Sequence, residues 1–561
     1  MKTLYYLLVF LLLTKGAFTQ HTHLVYKQFV NGAATHDTAI LLLTAGSNQL
    51  EISRPNDIPK KPIPGLASEK TFIDYSVNER IRQLTYPDSS FFSKEKIQPI
   101  AFDYIADSAY ILNYKCYKAQ TSINSNHIEI WYTNETGFNA SPVSWLGDFE
   151  GTILRIVRNG NRVIEADEIS LTTDNESIIP DDLGVEMSTQ QLNQLQKEKL
   201  VIRIPVFKNE QIFWGDTTRL PNEIPYDTTF HIAGGTLIFK RLQLPKIPDH
   251  YQAFAEITTC SNGDAYDRTG SVFIIPDSPL NFAEAFHKGV DVLPKFVGKD
   301  GEVYQGIKLT GNYQPVVELV RFFTPFGVKH FNEKVKIDGL QWKEKSFYKQ
   351  DISDLKHYLS EEVIIGAYIG NYDKGGHILS FDLSFYPGST EWTDENDSRS
   401  WLLPLFNTVN IMEMANQNYG KLFGTDTLSI AFEVPEDVEN LRLRYISTGH
   451  GGWGGGDEFN PKENKIFLDG VLRFVHTPWR TDCATYRDLN PISGNFWNGM
   501  SSSDYSRSGW CPGEATEPVY FNLDDLAPGK HTISLVIPQG KPEGNSLSYW
   551  AVSGMLVGKK R

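Results

Sequence analysis

Cysteine is scarce in this chain: four residues in 561, Cys116, Cys260, Cys483 and Cys511, with no Cys-x-x-Cys pair among them. That spacing excludes the paired-cysteine zinc and thiol-redox motifs. Also missing are His-Glu-x-x-His and Gly-x-Ser-x-Gly, so neither a helical zinc site nor a serine nucleophile elbow has sequence support. Basic charge is in deficit. Lys and Arg number 53 against 68 Asp and Glu, a net charge of −15, and a surface of that sign repels polyphosphate, which disfavours nucleic acid as a partner. Long apolar runs reduce to one, Leu4 to Leu13, short of the roughly 20 residues that span a bilayer. It follows Met1-Lys2 and precedes the small-x-small site Ala17-Phe18-Thr19, the pattern of an export leader cleaved near Thr19. The mature product is expected in the periplasm or outside the cell, without stable membrane insertion. There the even cysteine count permits disulfides, in any of three pairings.

Hydrophobic residues make up 40% and charged residues 22%, an ordinary globular composition, and the length points to several domains. Helical periodicity is rare and strand alternation common. In Ile378 to Phe385, Leu379, Phe381, Leu383 and Phe385 share one face while Ser380, Asp382 and Ser384 share the other; Leu441 to Tyr445 and Thr532 to Ile537 repeat the pattern. Between such runs stand Pro245, Pro315, Pro387-Gly388, Pro491 and Pro538. Short alternating strands separated by turns predict an all-β protein of antiparallel sandwiches. One helix is predicted, Ser188 to Leu200, with Ser188-Thr189 as its N-cap. A domain boundary is placed there, and a second in Pro387 to Ser400, where Thr393 to Ser398 reads as a solvated acidic linker lacking the spacing of a calcium loop. The expected divisions are a leader 1–19, an N-terminal β-rich accessory domain 20–200, and two sandwiches, 201–394 and 395–561.

Two acidic loops carry the candidate chemistry. Asp264-Ala265-Tyr266-Asp267-Arg268 falls between predicted strands, where a rigid scaffold displays functional side chains, although an Asp beside an Arg is also an ordinary surface ion pair. Trp453-Gly454-Gly455-Gly456-Asp457-Glu458-Phe459 sets carboxylates after a Gly run that lets backbone approach a ligand closely; the bland alternative is a solvated loop. In Arg507 to Gly513, a guanidinium and the Trp510 indole flank Cys511, a combination suited to the faces and hydroxyl rims of sugars, or to a stapled loop with a core Trp. Gly449-His450-Gly451-Gly452-Trp453-Gly454 satisfies G-x-G-x-x-G, but a strand pattern follows it instead of a helix, so the dinucleotide reading fails. His21-Thr22-His23 has the look of a copper site, but a frayed, solvated terminus is the expectation.

Taken in chain order, Tyr266-Asp267-Arg268, Arg321 to Phe326, Asp351 to Lys356, Gly456 to Phe459, Arg507 to Gly513 and Tyr549 to Ser553 resemble the peptide-N-glycosidase F family of secreted bacterial amidases, over roughly Val201 to Val557. The resemblance implies two eight-stranded antiparallel jelly rolls side by side, with a glycan cleft between them. It implies hydrolysis of the amide joining Asn to the first N-acetylglucosamine of an N-glycosylated protein or peptide, releasing a glycosylamine and leaving Asp. It assigns Asp267 as the primary catalytic carboxylate, positioning and deprotonating water, and Glu458 as the second, sharing the water or the glycosylamine nitrogen. Arg268 would hold Asp267 ionised or donate to the oxyanion. Arg268, Tyr372, Trp453, Arg507 and Trp510 are expected to contact substrate. Gly370 falls where the family carries a Glu, so space for a core α1,3-fucose is expected there. A Cys483–Cys511 disulfide is implied, with Cys116 and Cys260 reduced and buried. The short disulfide that flanks the family's second carboxylate is missing, which predicts a less rigid Glu458 loop. No metal or cofactor is expected, and the protein should act as a monomer. A glycan-binding protein without turnover and a two-jelly-roll copper monooxygenase are the rival readings.

Residues 20–200 resemble the N-terminal domain of the family's longer, second type. Tyr114 to Ala119, Trp131 to Thr133 and Leu146 to Leu154 are also similar to a Bacteroidota family of secreted β proteins named for a Gly-Leu-Pro-Gly-Leu-Ile motif. A substrate-presenting or stabilising role is expected of this domain.

Overall fold

The computed structural model describes residues 21–35, 41–46, 48–53, 63–146, 149–172, 177–215, 220–221, 223–359, 361–388, 400–413, 419–451, 455–542 and 547–561. The expected leader, the expected acidic linker from Thr393 to Ser398 and Trp453 lie outside these residues. The chain divides into two compact units at Val201 and Ile202, immediately after the predicted helix. That helix spans Thr189–Leu200; the Ser188 hydroxyl accepts from the Gln191 backbone N–H while the Gln191 side chain accepts from the Ser188 N–H, a reciprocal capping box. Among the described residues no helix is long and apolar enough to cross a membrane.

The first unit is built on one 13-stranded sheet, in which His21–Val30 lies near the middle of the strand order and Asp103–Ile111 is the last strand. His21 is buried, and its strand is flanked by Arg162–Thr172 and Leu41–Ala45. The frayed terminus expected at the His pair is therefore an interior strand. The helix rests on this unit through Leu192, which packs with Leu84 and Tyr86. Cys116 is buried and reduced.

The second unit holds, among the described residues, a two-stranded sheet, Lys295–Val297 with Val303–Gln305, and four larger sheets stacked as two sandwiches. In the first, Ile202–Ile212, His377–Pro387, Tyr251–Ser261 and Ser346–Asp351 form one sheet, and Phe230–Ile232, Leu237–Gln243, Glu362–Ile369, Thr269–Ile275, Val317–Phe323 and Ala515–Thr516 the other. In the second, Ser400–Asn407, Tyr549–Lys560, Val438–His450 and Val519–Asn522 oppose Leu428–Val434, Gly529–Val536, Asn464–Leu468 and Val471–His476. This is the all-β architecture of antiparallel sandwiches that the alternation predicts, in the tandem jelly-roll arrangement that the resemblance implies. Leu379, Phe381, Leu383 and Phe385 are fully buried as one face of their strand, and Ile533 and Leu535 fill the second core.

Alternation fails where the two rolls meet, for a structural reason. In Val438–His450 the first half alternates and the second half is buried on both faces, because one face lines its own core and the other lies against the first roll. Arg444 crosses that boundary to donate to the Glu318 and Leu319 carbonyls at 3.0 and 3.3 Å. Arg321, wholly buried, forks onto Glu318 at 3.0 and 2.6 Å and reaches Thr448 Oγ1 at 3.1 Å in the second roll. Burial alone would raise the Glu318 pKa, but the Arg321 charge with donors from Arg321, Ser553 and Ser271 outweighs it and holds the carboxyl below its ordinary value. Ala515–Thr516, from the second roll's part of the chain, pairs with Val317–Phe323 of the first. The rolls are thus fixed relative to one another by a strand and by satisfied buried charge, which a cleft between them requires.

Candidate active site

Three connections converge at that junction. Residues 262–268 cross from Tyr251–Ser261 in one sheet of the first roll to Thr269–Ile275 in the other, and carry Asp267. The segment between Val438–His450 and Asn464–Leu468 carries Glu458. The long connection from Val471–His476 to Ala515–Thr516 carries Arg507, held by the Cys483–Cys511 disulfide and by paired backbone bonds between Arg480 and Arg507 of 2.8 and 3.0 Å. A cavity of about 380 Å³ opens beside them, its wall including Arg268, Gly370, Tyr372, His450, Trp510 and Tyr549 as well as both carboxylates.

Arg507 joins the two acids. Its Nη2 donates to Asp267 Oδ2 at 3.1 Å, and its Nη1 lies 3.1 Å from Glu458 Oε1, at ion-pair distance but off the line of a hydrogen bond. The guanidinium is 0% exposed, against 14% for the Asp267 side chain and 19% for Glu458. Its faces are covered by Phe459 and Trp510, with ring centroids at 4.9 and 4.6 Å, and Trp510 is itself stacked on Phe323 at 4.2 Å and donates to the Gly449 carbonyl. Such a sandwiched fork cannot rotate, so it fixes the spacing of the acids. Burial pushes the Asp267 pKa up to about 7; Arg507 and Arg268 pull against this while the Glu458 charge adds to it. Burial raises Glu458 too, opposed by Arg507. Asp267 therefore holds and releases a proton near neutrality beside a second carboxyl whose own pKa is raised, the property general acid–base catalysis needs.

Arg268 favours the ionised form of Asp267 through its charge, but its hydrogen bonds go elsewhere. It forks onto Asp264 at 2.7 and 3.1 Å, a carboxylate that also accepts from the Tyr266 N–H at 3.1 Å and so turns the loop back toward Arg268. Asp264 is also 3.4 Å from His377 Nε2; although burial favours its neutral form, the His377 and Arg268 contacts hold its pKa well below the ordinary carboxylate range. Asp264 is therefore a structural anion that aims Arg268 at the cavity wall. The Glu458 loop is likewise better fixed than its missing disulfide suggests. Asp457, fully buried, accepts from Trp550 Nε1 at 2.8 Å and from the Gly540 N–H at 3.1 and 2.9 Å, and its own N–H donates to Ser548 Oγ at 3.2 Å. Ser508 N–H donates to the Glu458 carbonyl at 2.9 Å. One carboxylate of the Asp457-Glu458 pair is an anchor, and the other faces the cavity.

Sequence profiles for "Peptide-N-glycosidase F, N terminal" and "Peptide-N-glycosidase F, C terminal" match residues 203–385 and 418–557, and one for "N-glycanase peptide, N-terminal domain" matches 24–196. A structure of PNGF-II in space group P21 is 40% identical over 97% of this chain and 100% of its own, with a TM-score of 0.84. The chain belongs to the peptide-N-glycosidase F family. A second PNGF-II structure, in space group C2, gives 40% identity, 97% and 98% coverage and a TM-score of 0.78. PNGase F, a glycosylasparaginase from Flavobacterium meningosepticum, aligns with 64% of this chain and 96% of its own at 18% identity and a TM-score of 0.43. No curated protein matches the chain.

In this peptide-N-glycosidase F family member Asp267, Glu458, Arg268, Tyr372, Trp510 and Gly370 all line the cavity, while Arg507 stands behind its wall. Glu413, His450 and Tyr549 line it too; sequence reasoning missed them as site residues. Tyr549 lay inside a recognised segment and His450 inside the discarded glycine motif. Glu413 carried no signal at all. It follows Ser400–Asn407, brings a third acid to the cavity, and accepts a hydrogen bond from Tyr372. Burial raises the Glu413 pKa and helps push Tyr372 up to about 12. Tyr372 also meets Trp214 edge-on at 5.5 Å, so an aromatic pair borders the carboxylates.

Proposed function

We propose that this protein is an exported amidase that hydrolyses the bond between Asn and the first N-acetylglucosamine of N-linked glycoproteins and glycopeptides. The carrying observation is the arginine-bridged pair, one acid from each jelly roll, at the wall of a cavity lined by Tyr372, Trp510 and Tyr549. Asp267, ionised, takes a proton from water as that water adds to the amide carbon. Arg268, directed at the cavity by Asp264, stands as the cation for the oxyanion that develops. Collapse of the tetrahedral adduct needs a proton on the departing nitrogen, which Asp267 or Glu458 returns from the shared pool. The products are a peptide Asp and a glycosylamine.

The test is mass spectrometry of one denatured glycoprotein incubated in heavy-oxygen water. Amide hydrolysis places one heavy oxygen in the new Asp and frees the intact glycan; binding without that label establishes the glycan-binding alternative instead. We extend the reading to core α1,3-fucosylated substrates, supported by bare backbone at Gly370 on the cavity wall. A Cβ at 370 would meet Tyr368 Oη at 2.5 Å, so Gly370→Glu disturbs a buried ring as well as filling space. The comparison of choice is wild-type kcat/KM on matched glycopeptides with and without the fucose, and an enzyme inert on the fucosylated member overturns this extension.

A further inference from the structure

Trp497 is 96% exposed, the most of any large hydrophobic side chain among the described residues, and Met500 three positions on is 47% exposed. The fold itself gives no reason to leave an indole in water, since it buries Trp510 and Trp550. Nor is the turn loosely built. Phe496 N–H donates to the Met500 carbonyl at 2.9 Å, Gly499 N–H to the Phe496 carbonyl at 2.8 Å and Met500 N–H to Asn498 Oδ1 at 3.0 Å, and Ser493 Oγ accepts from Ser501 Oγ and from the Ser503 N–H at 2.8 Å each. A rigid backbone that presents an exposed aromatic ring has the character of an interaction anchor, because little ordering entropy is left to lose on binding.

The turn is coupled to the catalytic pair. Phe496 packs edge-on against Phe459 at 5.4 Å and Tyr505 at 4.7 Å, and Phe459 covers one face of Arg507. Ser502 Oγ accepts at 3.2 Å from Arg507 Nη2, the nitrogen that also holds Asp267. No residue of 493–506 lines the cavity. A glycoprotein substrate has two halves joined at the scissile amide. If the cavity takes the sugars, the polypeptide lies outside it, past Asp267 and Glu458, where this turn stands. Residues 490–503 contain no charged side chain, so the turn offers apolar and amide surface on an otherwise acidic chain.

We propose that Trp497, with Met500, clamps the polypeptide that carries the glycosylated Asn and gives long, apolar-flanked, unfolded substrates an advantage over minimal glycopeptides. This rests on the amidase reading above. The test compares kcat/KM for a long glycopeptide with apolar flanks and for one with a single residue on each side, both bearing the same glycan. Trp497→Ala is expected to lower the long-to-short ratio about tenfold, and Trp497→Phe to keep most of it. An unchanged ratio in Trp497→Ala overturns the clamp. Wild type inert on both peptides overturns the amidase reading instead, and the clamp is then read by fluorescence anisotropy with the dye-labelled long peptide carrying Asp in place of the glycosylated Asn. Its Kd is expected to rise about tenfold in Trp497→Ala, and equal Kd values overturn the proposal whatever the turnover.

Discussion

Replacing Asp267 by Asn exchanges one carboxylate oxygen for an NH₂ group and leaves the other in place to accept from Arg507 Nη2, now at 3.1 Å from Oδ2. The variant lacks the proposed base, and loss of a general base costs about 10²–10⁴-fold in rate. Stability should move the other way. The Asp267 pKa is raised from 3.8 to about 7 by burial, with Glu458 adding to the rise and Arg507 opposing it. Between those values the folded state binds a proton that the unfolded state does not, so stability falls as pH rises from about 4 to 7. At about 1.36 kcal/mol per pH unit the upper bound is about 4 kcal/mol, a figure that already includes the opposing pull of Arg507. Asn does not titrate and escapes this cost. Thermal melts of both proteins at pH 5 and pH 8, beside kcat on one glycopeptide, check the argument: Asp267→Asn should melt no lower than wild type, and its relative advantage should be larger at pH 8. A variant that keeps more than a tenth of the rate, or whose Tm falls relative to wild type as pH rises, refutes the reasoning.

Because Asp267 must be ionised to act, kcat/KM should climb with pH up to about 7 and level above it, and a pH–rate profile that falls across that interval contradicts the assignment. Arg507→Lys keeps the charge but loses the fork that spaces the acids, so kcat should drop about 10²-fold with the secondary structure seen by circular dichroism intact. Asp457→Ala orphans the Trp550 indole N–H and the Gly540 N–H, at about 1–3 kcal/mol each, and should lower both Tm and kcat, whereas Asp457→Asn, which keeps one acceptor oxygen, should recover part of each. Breaking the Cys483–Cys511 link with a double Ser variant opens a separation of 28 residues, worth about 3–4 kcal/mol, and denaturant unfolding measures it; full stability without the bond would mean that the segment is held by Arg480, Trp510 and the strand Ala515–Thr516 alone.

Local signals determined much of this protein. Alternation in Ile378 to Phe385 set which side chains enter the core, since side-chain direction in a strand is decided by the backbone two residues at a time. Ser188 and Gln191 specified where the helix starts, because a capping box is satisfied within four residues. The six short segments, read as a family resemblance, named both acids and the disulfide. Only the tertiary structure decided how those groups are paired. Asp267 and Arg507 are separated by 240 positions, and nothing local says that Asp267 takes this arginine while its neighbour Arg268 turns to Asp264. Asp457 and Glu458 are alike in sequence, yet one meets Trp550 in the core and the other a cavity. Glu413 joins the site from a connection with no motif, and Trp497 is marked by its exposure. Each of these depends on which face of an irregular loop meets the other roll, and loops lack the periodicity that would let sequence fix a direction.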